Sequence, residues 1–194
     1  MSVVLVDSGG ANIGSVSYAL QRLGVEAALT ADAAVIRAAD KVILPGVGAA
    51  AAAMTRLREL DLVDVLRGLA QPVLGVCLGM QLLCTRSEEG DVDGLGVIDV
   101  EVRRLDARAG LRVPHMGWNR VHDVALHPWL VHADGWAYFV HGYAVPVCAA
   151  TLATCDHGTT FSAAIGHANF TGVQYHPERS STLGASVLRG FLDA

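Results

Sequence analysis

The sequence lacks the long apolar runs and the basic clusters that mark membrane and nucleic-acid-binding proteins. No run approaches the length of about 18 apolar residues that indicates a membrane span. Residues 1–10 have no basic segment of the kind that begins a secretion signal, and Asp7 comes early in them. The net charge is −5, and no cluster of lysine and arginine stands out. We therefore expect a cytoplasmic protein that binds neither a membrane nor nucleic acid.

Paired cysteines are also missing. The four cysteines are Cys77, Cys84, Cys148 and Cys155, and none forms a C-x-x-C pair of the kind that binds zinc. A disulfide framework is not expected in a domain of this size without an export signal. We expect reduced thiols, no metal and no cofactor.

The order of apolar segments predicts an α/β fold. Strands are expected at 3–7, 25–30, 41–46 and 72–76, with helical segments between them, and this alternation favours a mostly parallel sheet with helices on both faces. Beyond residue 95 the pattern changes to short strands and turns, which predicts an antiparallel extension, and residues 181–194 form an amphipathic helix. Asp32 and Asp61 are candidate N-caps of helices. No linker or repeat interrupts the 194 residues, so a single domain over 1–194 is the simplest organisation.

The segment Gly-Val-Cys-Leu-Gly at 75–79 has the form of a nucleophile elbow, with Cys77 in the place of the nucleophile. In an elbow the chain turns sharply from strand to helix, and flanking glycines relieve the crowding. The helix N-terminus favours the reactive thiolate, and the N–H of Leu78 is placed to stabilise an oxyanion. A helix is expected over 78–87, with Cys84 on its buried face. The alternative interpretation is an ordinary buried cysteine in a tight turn.

A proton shuttle for this cysteine is predicted at the His-Pro-Glu sequence of residues 176–178. An extended run before His176 brings the imidazole to the same sheet edge as Cys77. Pro177 bends the chain, and Glu178 folds back to fix the imidazole tautomer. A solvated turn is the alternative for this segment alone. Together with the elbow, the three residues predict a Cys-His-Glu triad.

Three ordered blocks, at 44–49, 75–83 and 172–180, resemble the class I glutamine amidotransferases over essentially the whole chain. The resemblance implies a flavodoxin-like fold. It also implies hydrolysis of L-glutamine to L-glutamate and ammonia through a glutamyl thioester, with Cys77, His176 and Glu178 as catalytic residues.

The same resemblance implies roles for further residues. The oxyanion hole is expected from the N–H groups of Val47 and Leu78, with Gly46 lining it. Glutamine-binding residues are expected at Gln81, Glu88, Gly142 and Tyr143. The family commonly has serine at the position of Gly142, so a serine side-chain contact is absent here. For Glu88, a solvated loop carboxylate is the alternative.

Local sequence points to one branch of that family. Residues 114–119 (PHMGWN) and 138–145 (YFVHGYAV) resemble the amidotransferases of histidine biosynthesis, whose partner is a (β/α)8-barrel cyclase subunit in a heterodimer. The glutaminase fold uses all 194 residues, so the ammonia acceptor is expected on that second chain. Interface residues are expected at Asn12, Met116, Trp118, Asn119 and Arg179. For Trp118 a buried position is the alternative.

Two other functions remain open from the sequence. The chain could serve another synthase, for anthranilate or aminodeoxychorismate, although those relatives usually read Gly-His-Gln where this chain has Gly-Met-Gln at 79–81. A non-catalytic binding subunit is the other alternative, against which the intact triad argues.

Overall fold

The computed structural model describes residues 1–9, 13–107, 111–130 and 133–194. The strands are β1 Val3–Val6, β2 Ala27–Thr30, β3 Lys41–Gly46, β4 Val73–Cys77, β5 Cys84–Ser87, β6 Val92–Asp93, β7 Ile98–Arg104, β8 His115–His122, β9 Gly135–His141, β10 Tyr143–Ala144, β11 Thr151–His157, β12 Thr159–His167 and β13 Phe170–Val173. The helices are α1 Ile13–Arg22, α2 Ala33–Ala38, α3 Ala50–Glu59, α4 Val63–Arg67, α5 Leu78–Leu82 and α6 Ser181–Asp193, and a 3-10 turn spans Pro177–Arg179.

A nine-stranded sheet organises the molecule, in the order β2-β1-β3-β4-β13-β12-β11-β8-β9. The strands from β2 to β13 pair in parallel, and those from β13 to β9 pair antiparallel. Strands β10, β7, β5 and β6 form a smaller sheet. The predicted fold class, a parallel α/β sheet extended by antiparallel strands, is confirmed.

Alternate side chains of the parallel strands enter two cores, one on each face of the sheet. Val3 and Leu5 of β1 pack with residues of α1 and α6, whereas Val4 and Val6 pack with residues of α2, α3 and α4. Parallel strands covered on both faces are buried in this way because crossover helices lie on both sides. In the described part of the chain, no helix is long and apolar enough to cross a membrane.

Two of the local predictions have different outcomes. Asp32 caps α2 as expected, and its side chain accepts hydrogen bonds from the N–H groups of Ala34 and Val35. The N-cap predicted at Asp61 is wrong. Asp61 has a left-handed φ of 53°, and the cap position of α4 falls on Leu62 without a side-chain hydrogen bond.

The helix predicted over 78–87 is also too long, because α5 ends at Leu82 and the chain continues as β5. Cys84 therefore lies on a strand, where it pairs with Ile98 of β7, although it is fully buried as expected. Pairing with β7 stabilises the extended form of this segment, and sequence periodicity does not reveal that distant partner.

Candidate active site

The candidate nucleophile lies at the carboxyl end of β4, near the middle of the large sheet. Cys77 ends the strand and is also the N-cap of α5, with φ of 53° and ψ of −108°. A non-glycine residue in this region is strained, and the surrounding structure must hold it there. The sharp turn leaves Cys77 at the start of a helix, as a nucleophile elbow requires.

The flanking glycines are required by close packing. A Cβ on Gly75 would lie 2.7 Å from the carbonyl oxygen of Gly79, and a Cβ on Gly79 would overlap the carbonyl oxygen of Leu44 in β3. A Cβ on Gly46 would lie 2.8 Å from the Cβ of Leu78. The end of β3 and the elbow therefore approach each other at a distance that only glycine permits.

His176 and Glu178 form a buried pair. The Nδ1 of His176 lies 2.8 Å from the Oε1 of Glu178, and their side chains are 4% and 0% exposed. The position of the imidazole is fixed by β9, because the N–H of His176 donates to the carbonyl oxygen of Tyr138 at 2.9 Å. The N–H of Tyr138 in turn donates to the Oγ of Ser180, so both backbone groups of Tyr138 hold this segment.

The charge on His176 is stabilised by two neighbours. Burial opposes the charged form, but Cys77 and Glu178 outweigh it and raise the pKa of His176 to about 10. The Nε2 atom is buried and has no hydrogen-bond partner among the described residues. The imidazole is thus held by Glu178 at Nδ1, with Nε2 left to exchange a proton with the nucleophile and its adduct.

Cys77 and His176 line the same cavity, which has a volume of about 270 Å³. The cavity is lined by Val47, Gly48, Cys77, Leu78, Gln81, Glu89, Val140, His141, Gly142, Tyr143 and His176. Nucleophile and imidazole are therefore open to one small ligand. In the described residues, no three His, Cys, Asp or Glu side chains are grouped as metal ligands.

Most of the residues predicted to surround the substrate lie here. Val47 and Leu78, the candidates for the oxyanion hole, line the cavity together with Gln81, Gly142 and Tyr143. Gly46 is at the end of β3, packed against Leu78.

Glu88 does not line this cavity. Its Oε2 accepts a hydrogen bond from the N–H of Arg104 at 2.7 Å, on the side of the smaller sheet. The adjacent Glu89 lines the cavity, and its Oε2 accepts from the N–H of Ala50 at 2.9 Å. Of the two adjacent carboxylates, Glu89 and not the predicted Glu88 therefore faces the cavity.

The predicted interface residues lie on different surfaces. Met116 and Trp118 are exposed on one face of β8, with 64% and 52% of their surfaces accessible, and Trp136 of β9 is equally open. Asn119 points to the other face and bonds to the Nε2 of His115 and the carbonyl oxygen of Asp156. Arg179 is exposed beside the triad. Asn12 lies outside the described residues.

Two buried histidines adjoin the cavity and stay neutral. Burial lowers the pKa of His141 to about 3, and it lowers the pKa of His115 to about 4 with further repulsion from His157. The Nδ1 of His115 lies 3.2 Å from the Nε2 of His141, whose Nδ1 is 2.8 Å from the carbonyl oxygen of Tyr143. A neutral pair satisfies this arrangement, because each shared contact needs one donor and one acceptor.

Sequence reasoning missed two residues of the site. Glu89 could have been weighed against Glu88, since both follow β5 in the same acidic turn. Gln174 lies two residues before His176, and its Nε2 is 3.8 Å from the sulfur of Cys77. Only the bend of the chain after β13 brings that amide to the elbow, and no sequence signal reports it.

Comparison with known proteins agrees with this geometry. The family model "Glutamine amidotransferase class-I" matches residues 4–194. The imidazole glycerol phosphate synthase subunit HisH of Xanthomonas axonopodis pv. citri is 54% identical over 98% of this chain and 96% of its own length. The protein of the same name in Xylella fastidiosa (strain Temecula1) is 52% identical over the same shares.

Solved structures show the same fold at lower identity. A crystal structure of a glutamine amidotransferase superposes with a TM-score of 0.77 at 20% identity, covering 99% of this chain and 98% of that one. A glutamine amidotransferase from Thermotoga maritima gives 0.62 at 15% identity, covering 100% and 83%. With its strained elbow cysteine, its buried histidine and carboxylate, and a family match over nearly its full length, the chain belongs to the class I glutamine amidotransferases.

Proposed function

We propose that this chain is the glutaminase subunit of an imidazole glycerol phosphate synthase and supplies ammonia to its cyclase subunit. The main observation that supports this reaction is that Cys77 and His176 line one small cavity, with Glu178 holding the Nδ1 atom of the imidazole. The names of relatives at 52% to 54% identity support the choice of acceptor.

The chemistry proceeds in two steps from these groups. The thiolate of Cys77 attacks the side-chain amide carbon of L-glutamine, and the N–H groups of Val47 and Leu78 stabilise the oxyanion. His176 donates its Nε2 proton to the leaving nitrogen, which departs as ammonia and leaves a glutamyl thioester. The imidazole then takes a proton from water, which attacks the thioester and releases L-glutamate and the Cys77 thiolate.

Gln81 and Glu89 are suited to hold glutamine. Both N–H groups of the Gln81 amide are used within the protein, by the carbonyl oxygen of Tyr143 and the Oε1 of Gln174, so its own oxygen is the group left for a ligand. The carboxylate of Glu89 supplies a negative charge for the α-amino group of the substrate. Gly142, which follows β9, and Tyr143, which begins β10, complete the binding site.

The partner is proposed to be a (β/α)8-barrel cyclase subunit that covers the exposed apolar side chains of β8 and β9. Met116, Trp118 and Trp136 are exposed together on this pair of strands. Large apolar and aromatic side chains are enriched at the centres of protein interfaces. A heterodimer accounts for these exposed side chains, and it is proposed to work in the cytoplasm without a cofactor.

The test measures glutamate released from glutamine by the chain alone, with the cyclase, and with the cyclase together with its nucleotide substrate. We expect Cys77→Ala to reduce the activity of the complex by at least about 1000-fold, because the nucleophile is lost. Cys148→Ala, at a partly buried cysteine outside the cavity, is the matched control and should keep the activity.

Full glutaminase activity in Cys77→Ala would exclude the mechanism. Activation by a chorismate-using synthase in place of the cyclase would assign the chain to anthranilate or aminodeoxychorismate synthesis.

A further inference from the structure

A buried amide touches the candidate nucleophile from the interior of the protein. Gln174 has no exposed surface and does not line the cavity. Its Nε2 lies 3.8 Å from the sulfur of Cys77, within the range of a hydrogen bond to sulfur. The sulfur is thus contacted from inside the protein by the amide of Gln174, and on the cavity side it lies 3.9 Å from the carbonyl oxygen of Val140.

The orientation of this amide is fixed by its neighbours. The carbonyl oxygen of Tyr143 can only accept, so the atom of Gln81 that lies 2.9 Å from it is the amide nitrogen. That same nitrogen lies 2.9 Å from Gln174, which must therefore present its oxygen to Gln81. The nitrogen of Gln174 is then the atom that faces the sulfur of Cys77.

The carbonyl group of Tyr143, which begins this chain of contacts, is itself held by His141, and His115 holds His141 in turn. The Nδ1–H of His141 donates to the oxygen of Tyr143, and the Nε2 of His141 accepts from the Nδ1–H of His115. The Nε2 of His115 accepts from the amide of Asn119 at 3.2 Å. A continuous series of hydrogen bonds therefore runs from β8 through the end of β9 and the start of β10 to Gln81, Gln174 and the nucleophile.

We propose that Gln174 is a further catalytic residue: its amide N–H donates a hydrogen bond to the sulfur of Cys77 and stabilises the thiolate, and Gln81 holds that amide in position. A donor directed at a charged atom contributes more than one between neutral groups. The role in turnover rests on the proposed glutaminase function, whereas the effect on the sulfur does not.

The first measurement is the rate at which iodoacetamide alkylates Cys77, followed on the Cys77 peptide by mass spectrometry between pH 5 and 10. This small reagent needs neither glutamine nor the partner. Gln174→Glu keeps the shape and the acceptor for Gln81 but places a carboxylate oxygen against the sulfur. We expect its alkylation profile to move to higher pH by about one unit, because a negative charge beside a thiolate disfavours it.

A second variant removes the donor without adding charge. Gln174→Met should slow alkylation at pH 7 by about tenfold to a hundredfold, the effect of losing one hydrogen bond to a charged group. Gln21→Glu, on the exposed surface of α1, is the control for the added charge and should leave the profile unchanged.

The second measurement is glutamine hydrolysis by the complex. We expect both Gln174 variants to lower kcat by about tenfold. In Gln174→Glu, which keeps the acceptor for Gln81, KM for glutamine should stay within about twofold, the pattern of an interaction that acts on the reacting atom. Thermal unfolding checks that each variant is folded. If Gln174→Met does not fold, the results for Gln174→Glu alone test the inference.

Alkylation within twofold of wild type at every pH would overturn the inference, as would a loss confined to KM. A shifted alkylation profile in a chain that never hydrolyses glutamine would keep the inference and reject the proposed function.

Discussion

At the scale of single residues, the backbone of Cys77 sets the chemistry of the site. Its φ of 53° is compatible with an L-residue only when the packing around it enforces the turn. The strain turns the sulfur into the cavity beside His176 and starts α5 at the same point. Conformation and reactivity therefore depend on the same residue.

The contribution of the Glu178 charge to catalysis can be tested by a single substitution. Glu178→Gln keeps the shape but removes the negative charge beside Nδ1 of His176. We expect kcat for glutamine hydrolysis to fall by about 100-fold or more, because the imidazolium loses a stabilising partner and its orientation is less well defined. The measurement is glutamate release by the complex as a function of pH.

The direction of the pH effect follows from the same contact. Glu178 helps to raise the pKa of His176, so without its charge the imidazolium loses its proton at a lower pH. The alkaline limb of the activity profile should move to lower pH. Glu26→Gln, at an exposed position after α1, is the control. A variant of Glu178 with activity within threefold of wild type and an unmoved profile would contradict the role given to this carboxylate.

At the scale of elements, the active site depends on how closely β3, β4 and α5 pack. Gly79→Ala should destabilise the fold by about 3 kcal/mol or more, since its Cβ would overlap the backbone of β3 and the strand would have to move. The measurement is the free energy of unfolding in urea.

Gly14→Ala in α1 is the matched control for this change. Its Cβ would meet only the ring of Tyr18 at 3.8 Å, an ordinary contact. Alanine should there be neutral or stabilise by up to about 1 kcal/mol, as expected from helix propensity. Equal stability of the two variants would show that the close approach at Gly79 does not constrain the elbow.

The strands and helices also show which features can be predicted from the sequence and which cannot. The elbow, the parallel strands and the cap at Asp32 depend on local chemistry, and the sequence predicts them. The end of α5 depends on the pairing between β5 and β7. The position of Glu89, which faces the cavity where Glu88 does not, depends on its hydrogen bond to the N–H of Ala50 at the start of α3. These outcomes are decided by contacts with distant segments, which local patterns do not contain.

At the scale of the whole molecule, the two halves of the sheet supply different parts of the site. The parallel half carries Cys77 and the turn at Val47, and the antiparallel half supplies the carbonyl group of Tyr138 that holds His176. The carbonyl group of Tyr143, which holds Gln81, comes from β10 of the smaller sheet. The buried histidines His115 and His141 lie in the antiparallel half, on β8 and β9.

The stability of the molecule is expected to fall in mild acid because of these histidines. His115 and His141 have lowered pKa values and stay neutral in the folded state, whereas the unfolded chain binds protons below about pH 6.5. Their contribution is therefore present above that pH and is lost as the pH falls toward 4, on the order of 3 kcal/mol for His115.

Urea unfolding at pH 7 and pH 5 measures this loss. His115→Gln should show a smaller difference between the two pH values than the wild type, with the exposed His167→Gln as the control. An unchanged difference in His115→Gln would refute the assignment of the acid sensitivity to this residue.

The pairing of β8 and β9 at the edge of the sheet also limits which insertions and deletions the chain can tolerate. Trp118 pairs with Tyr138, and Tyr138 holds the segment that carries His176 and Ser180. A slip of β9 by one residue would displace these backbone groups by about 3.3 Å and carry the imidazole away from the sulfur. Insertions or deletions between β8 and β9 are thus compatible with activity only when they preserve the strand register, although this connection lies far from the nucleophile in the sequence.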